Sequence, residues 1–156
     1  MILKLGQPAP DFSLPDQNNR NHKLSDYQGH LVLLYFYPKD DTPGCNKEAC
    51  SIQENLTNFQ KIKVQVLGIS ADSVASHQKF SQKFHLTFPL LSDPDKKVIN
   101  QYGTWGEKSV FGRTFLGIKR TSFLIDRQGK IVKIYENVRP AEHAEEVLEY
   151  LKKTTK

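Results

Sequence analysis

Leu31-Val32-Leu33-Leu34-Tyr35-Phe36-Tyr37-Pro38-Lys39-Asp40-Asp41-Thr42-Pro43-Gly44-Cys45 is the stretch from which the rest of the chain can be read. Residues 31–37 form an unbroken apolar and aromatic run, as expected of a strand covered on both faces. The polar stretch that follows holds two prolines and a glycine, which mark a loop. Beyond Pro43-Gly44, the residues Ala49, Ile52, Leu56 and Phe59 recur at helical spacing. A buried strand passing through a loop into an amphipathic helix is the opening unit of an α/β sheet. In open sheets of this kind ligands gather at the carboxyl ends of the strands, where this loop falls.

Outward from that stretch the alternation continues. Val64–Ser70 reads as a second buried strand. Thr121–Ile125 and residues 130–135 flank Asp126-Arg127-Gln128-Gly129, a hairpin turn. Asp72 is expected to cap a helix carrying His77, Phe80 and Phe84. Asp93-Pro94 gives a cap and first turn for a helix holding Val98, Ile99 and Tyr102, with Gly103 as its stop. A last helix starting near Pro140 buries Ala144, Val147, Leu148 and Leu151. Its early glutamates and late lysines suit the helix dipole. Residues 1–30, rich in Pro, Asn and Asp, read as a hairpin or extended arm. The fold class is α/β: one domain over residues 1–156, with a central mixed sheet flanked by helices.

Composition excludes several classes. The chain has 156 residues and a formal net charge of +5, from 22 Lys and Arg against 17 Asp and Glu. The basic residues are scattered rather than gathered on one helix or arm, which argues against nucleic-acid binding. The run 31–37 is too short to span a bilayer, and residues 1–20 carry no secretory pattern. The chain is therefore expected to be soluble and cytoplasmic, with no membrane partner. Its two cysteines, Cys45 and Cys50, are too few for a disulfide scaffold or a zinc site. Redox chemistry or structural thiols remain.

Cys45 falls in the first turn of the helix, where free N–H groups and the dipole favour an anion such as a thiolate. Moving a thiol from a pKa of about 8.5 to about 6 takes roughly 3.4 kcal/mol. A helix terminus supplies about 0.3–1 kcal/mol, or ~2 when partly buried. A second positive group is needed, and the candidates are Arg20, Arg113, Arg120, Arg127 and Arg139. Cys45 also continues the apolar stripe of its helix by one turn, so packing alone would account for a lone cysteine there. Cys50 lies about 140° further round, its Cα roughly 8.6 Å from that of Cys45. A disulfide wants about 4.4–6.8 Å. The two can join only if the first turns unwind.

Tyr102, Trp105 and Phe111 read as packing residues, with residues 111–116 as a possible apolar rim. The five histidines show no catalytic pairing and read as surface residues. Asp40-Asp41 reads as a solvated loop face.

The segment Pro38-x-x-x-Thr42-x-x-Cys45 resembles the active-site motif of the peroxiredoxins. The longer run from Tyr37 through Cys45 to Glu48-Ala49-Cys50 is similar to the bacterioferritin comigratory protein branch. The likeness extends over Ala9-Pro10-Asp11-Phe12, Leu67-Gly68-Ile69-Ser70, Tyr102-Gly103, Trp105-Gly106-Glu107 and residues 117–126. It implies a thioredoxin-like fold and reduction of hydrogen peroxide and organic hydroperoxides, with no metal, flavin or haem cofactor. By the motif, Cys45 is the peroxidatic cysteine, Cys50 the resolving one, and Thr42 and Arg120 bind the peroxide oxygens. Pro38, Gly44 and Glu48 are placed around the substrate, Pro38 shielding the thiolate and Glu48 orienting the arginine. The partner implied is thioredoxin or a similar dithiol, and the chain is expected to be a monomer or weak dimer. A thiol–disulfide oxidoreductase would instead carry Cys-x-x-Cys. A redox sensor using the same pair would oxidise once without sustained turnover.

Overall fold

The computed structural model describes residues 3–154, so the expected N-terminal arm is seen from Leu3 onward. The first half holds β1 (Ser13–Pro15), β2 (Asn21–Lys23), a 3-10 turn (Leu24–Tyr27), β3 (Leu31–Phe36), α1 (Pro43–Glu54), α2 (Leu56–Lys61) and β4 (Val64–Ser70). The second holds α3 (Val74–Phe84), β5 (Leu90–Ser92), α4 (Lys97–Gln101), β6 (Trp105–Val110), β7 (Arg113–Ile118), β8 (Thr121–Ile125), β9 (Ile131–Tyr135) and α5 (His143–Thr154). Five strands form a mixed sheet in the order β5-β4-β3-β8-β9, while β1-β2 and β6-β7 are separate two-stranded hairpins. β3 pairs parallel with β4 and antiparallel with β8. This is the thioredoxin-like arrangement that the resemblance implied.

β3 is central because both of its faces are buried. Leu33, Tyr35 and Tyr37 point into one apolar layer with Ala49 and Ile52 of α1, Phe80 of α3 and Val147 of α5. Val32, Leu34 and Phe36 point into the other, with Phe12, Val98, Ile99 and Phe123. Fully burying each such side chain contributes about 1.5–3 kcal/mol. Tyr35 lies across β4 opposite Gly68. A Cβ on Gly68 would come within 2.9 Å of the Tyr35 ring, so this crossing requires glycine.

Several sequence expectations need correction. The first helical stripe breaks at Asn55, whose side chain bonds back to the Ser51 carbonyl and whose N–H caps α1. α3 is capped by Ser73, whose hydroxyl accepts from the Ser76 N–H. Asp72 instead accepts from the Asp40 N–H and the Ser70 hydroxyl. α4 begins only at Lys97, and Asp93 reaches past the turn to accept from the Ile99 N–H at 2.8 Å. The β6–β7 hairpin was not foreseen, because its strands are largely exposed and Phe111 holds a left-handed turn position at φ 53°. Phe111 is fully exposed and does not pack. Trp105 and Tyr102 do pack, against the layer that holds Phe12 and Phe123.

The histidines also depart from expectation. His77 and His143 are fully buried, and His22 bonds Asp16 and Tyr27. The imidazole of His143 meets the Ser122 hydroxyl at 2.7 Å, tying α5 to β8. Burial pushes that imidazole below its ordinary range, against the opposing pull of Glu146. Asp40 is buried too, so only Asp41 of the acidic pair forms a solvated face.

Candidate active site

Cys45 is the third residue of α1, which Pro43 opens and Thr42 precedes in extended conformation. Proline is tolerated at that first position because its missing N–H would be unpaired there anyway. The Cys45 side chain is 2% exposed and packs in the apolar layer with Tyr35, Tyr37 and Ala49. The packing reading and the chemical reading therefore describe the same residue: a sulfur walled by apolar groups, at a helix N-terminus.

Among the described residues, one cation is hydrogen-bonded to it. Arg120 Nη2 donates to the Cys45 sulfur at 3.3 Å. Its Nη1 donates to Glu48 Oε1 at 3.1 Å. Arg120 sits in the link between β7 and β8, and the pairing of Phe36 with Thr121 sets that link beside the carboxyl end of β3. The link is held by Lys119 N–H to the Thr104 carbonyl and by Val138 N–H to the Arg120 carbonyl. Of the five candidate arginines, Arg120 makes the contact; Arg139, for instance, pairs with Glu142 at the surface. A hydrogen bond to a charged group is worth about 1.5–3 kcal/mol, the size of contribution that a helix terminus leaves wanting.

Glu48 is three residues beyond Cys45 and so shares its helix face. Burial pushes the Glu48 carboxyl up to about 7, and the Arg120 charge offsets that only in part. Its Oε1 accepts from Arg120, whereas the buried Oε2 has no hydrogen-bond partner among the described residues. Gly44 stands against the guanidinium: a Cβ there would lie 2.7 Å from Arg120 Nη2. Its structural part is to make room for the arginine. Thr42 is half-buried and donates its hydroxyl to the Lys39 carbonyl at 3.1 Å, and Pro38 is half-buried on the same loop.

Cys50 lies further along the same unbroken helix, half-buried, and both thiols are free. Burial, then the Glu54 carboxylate, push the Cys50 thiol up, which keeps it protonated at neutral pH. Beside Arg120 opens a cleft of about 690 Å³, lined among others by Lys108, Lys119, Thr121 and Phe123. Arg120 is among the residues that line this cleft, and it contacts Cys45 of α1 as well.

Beneath the loop lies a group that the sequence reading left out. The Tyr37 hydroxyl donates to Asp40 Oδ1 at 2.7 Å, and the Ser76 hydroxyl donates to Asp40 Oδ2 at 2.8 Å. His77 Nδ1 lies 2.7 Å from the same Oδ2. A signal existed: His77 falls on the Phe80-Phe84 stripe, and a polar residue in a buried stripe needs a partner.

The family model described as "AhpC/TSA family" matches residues 5–134. The chain belongs to that family. It is 48% identical over 150 residues to "Peroxiredoxin Bcp" of Escherichia coli strain K12, covering 96% of each chain. It is 40% identical over 152 residues to the protein of that name in Bacillus subtilis strain 168, covering 97% of each. A solved structure of a Cys-to-Ser mutant of PrxQ from Xylella fastidiosa superposes with a TM-score of 0.93 at 36% identity, over 100% of this chain and 99% of that one. The bacterioferritin comigratory protein of Xanthomonas campestris, studied for alkyl peroxide reduction, superposes with a TM-score of 0.89 at 37% identity over 99% of both. This peroxiredoxin is thus an enzyme of the thiol peroxidase class, as the motif around Cys45 implied.

Proposed function

We propose that Cys45 is the residue that attacks the hydroperoxide, and that Arg120 and Thr42 bind the peroxide oxygens. The observation that carries this is the Arg120 guanidinium, which bridges the Cys45 sulfur at 3.3 Å and Glu48 at 3.1 Å. The sulfur attacks as a thiolate, and the guanidinium charge stays beside it as negative charge develops on the leaving oxygen. In the first step a sulfur–oxygen bond forms and the O–O bond breaks. Cys45 becomes a sulfenic acid, and the peroxide leaves as an alcohol or water after taking a proton. Pro38 covers the loop side of the sulfur, and Glu48 fixes the arginine.

Cys50 then resolves the intermediate. Its thiolate attacks the Cys45 sulfur, an S–S bond forms, and the hydroxyl leaves as water with a proton. Because α1 is unbroken from Pro43 to Glu54, its first turns open before that bond can form. A dithiol reductant, thioredoxin or one like it, supplies the two electrons that restore both thiols. A cytoplasmic setting keeps such thiols reduced. The unit acts as one domain, a monomer or weak dimer.

The test is thioredoxin-coupled peroxide consumption by the parent, Cys45→Ser and Cys50→Ser. Cys45→Ser should show no measurable turnover. Cys50→Ser should consume about one peroxide per chain and then lose thioredoxin-linked turnover. Parental turnover in Cys45→Ser would refute the assignment.

A further inference from the structure

Asp40, Asp72 and His77 bring donor atoms within 4.8 Å of one another, a spacing that invites a metal reading. Their hydrogen bonds describe something else. His77 Nε2 lies 3.0 Å from the Leu91 carbonyl, which can only accept, so Nε2 carries a proton. His77 Nδ1 faces Asp40 Oδ2 at 2.7 Å, and that bond needs a second proton. The Tyr37 and Ser76 hydroxyls already donate to the two Asp40 oxygens. Burial and then the Asp40 charge push the Tyr37 hydroxyl upward, so it remains a donor. Asp72 Oδ2 is occupied by the Asp40 N–H at 2.9 Å and the Ser70 hydroxyl at 2.6 Å. His77 and Asp40 thus form a buried hydrogen-bonded pair that spans α3 and the β3–α1 loop.

Asp40 stands midway between Pro38 and Thr42. The carbonyl that holds the Thr42 hydroxyl belongs to Lys39, the residue before Asp40. The residue after it, Asp41, takes a left-handed φ of 56°, uncommon for a non-glycine, and its side chain binds only at the surface, to Lys83 and Asn46. The chain is pinned at Asp40 and strained immediately downstream.

We propose that Asp40 and His77 are positioning residues for the peroxide reaction, a clamp that fixes the loop carrying Pro38 and Thr42 and confines the opening of α1 to residues 41–50. The clamp rests on the assignment of Cys45 as the residue that meets peroxide. It acts through Thr42 and Pro38 and touches no reacting atom. Its loss should slow attack on peroxide while leaving the later disulfide step unhindered.

The experiment separates the two steps. In a Cys50→Ser background, sulfenic acid formation at Cys45 is timed by rapid quench with a dione trap and intact mass. With Cys50 present, disulfide formation is timed after a peroxide pulse. Asp40→Asn should slow the first step about 10–100-fold, the cost of misplacing reacting groups by about 1 Å, and leave the second at the parental rate or faster. Ser76→Ala, which removes one hydrogen bond to Asp40, should slow the first step about 2–10-fold. It decides the matter if Asp40→Asn does not fold. Parental oxidation rates in folded Asp40→Asn or, failing that, in Ser76→Ala overturn the clamp, as does equal slowing of both steps. Oxidation that persists in Cys45→Ser overturns the functional reading instead.

Discussion

The two cysteines of α1 are five residues apart and chemically identical, yet the fold gives them opposite surroundings. Cys45 sits in the first turn, 2% exposed, with a guanidinium nitrogen 3.3 Å from its sulfur. Cys50 is half-buried beside Glu54, and burial and that carboxylate hold it as a thiol. A thiol's reactivity follows its charge environment more than its identity. The contrast supports a division of labour along one helix, with a nucleophile at the charged end and a reserve thiol released by unwinding.

The contrast can be broken most severely at Arg120. Arg120→Ala should lower kcat/KM for peroxide about 10²–10³-fold, the usual cost of deleting one donor at a developing anion. It should also destabilise the fold, since it strands the buried Glu48 carboxyl, and steady-state kinetics together with a melting curve read both effects. A variant that keeps parental kcat/KM would leave Cys45 no better equipped than Cys50.

Gly44→Ala sharpens the same contrast without deleting the cation. Its Cβ would meet Arg120 Nη2 at 2.7 Å, and that atom is the far end of a flexible side chain. The Nη2 end is therefore expected to swing away from the Cys45 sulfur while Nη1 keeps its bond to Glu48, at little cost in stability. Activity should fall about tenfold, the scale of a misplaced reacting group, with the melting temperature unchanged. A lowered melting temperature with full activity would mean that the glycine matters for packing alone.

The smallest effect concerns Glu48. Its carboxyl is pushed from 4.5 up to about 7 by burial, with Arg120 opposing. The folded state thus binds this proton more tightly than the unfolded chain does. The associated stability is fully present below pH 4.5 and is lost as pH rises through about 7. Between pH 5 and 8 the parent's melting temperature should drop by roughly 5 °C relative to Glu48→Gln, which lacks the titration. Parallel melting curves for the two proteins across that range would count against it.

Sequence reading was strongest where the signal is short-range. The apolar run 31–37, the breaker at Pro43-Gly44 and the stripe Ala49-Ile52 fix a strand, a loop and a helix by local periodicity, and Cys45 falls at the helix start whatever the rest does. It was weakest where polar groups are buried. Asp40, His77 and His143 look like surface residues by type, and only their partners in other elements make burial affordable. The β6–β7 hairpin escaped because an exposed strand pair lacks the one-sided apolar pattern that marks a strand.

From the sequence alone came the place of Cys45 at a helix terminus and the need of an anion there for a second cation. Both follow from neighbouring residues and from the energy of an anion at that position. The nucleophilic role proposed for Cys45 came from the likeness of the motif. The tertiary structure chose the cation. Arg120 is 75 residues from Cys45, and the antiparallel register of β3 with β8, which opposes Phe36 to Thr121, brings the two together. Such a register is set by burying both faces of the sheet at once, a condition that no local stretch of sequence states.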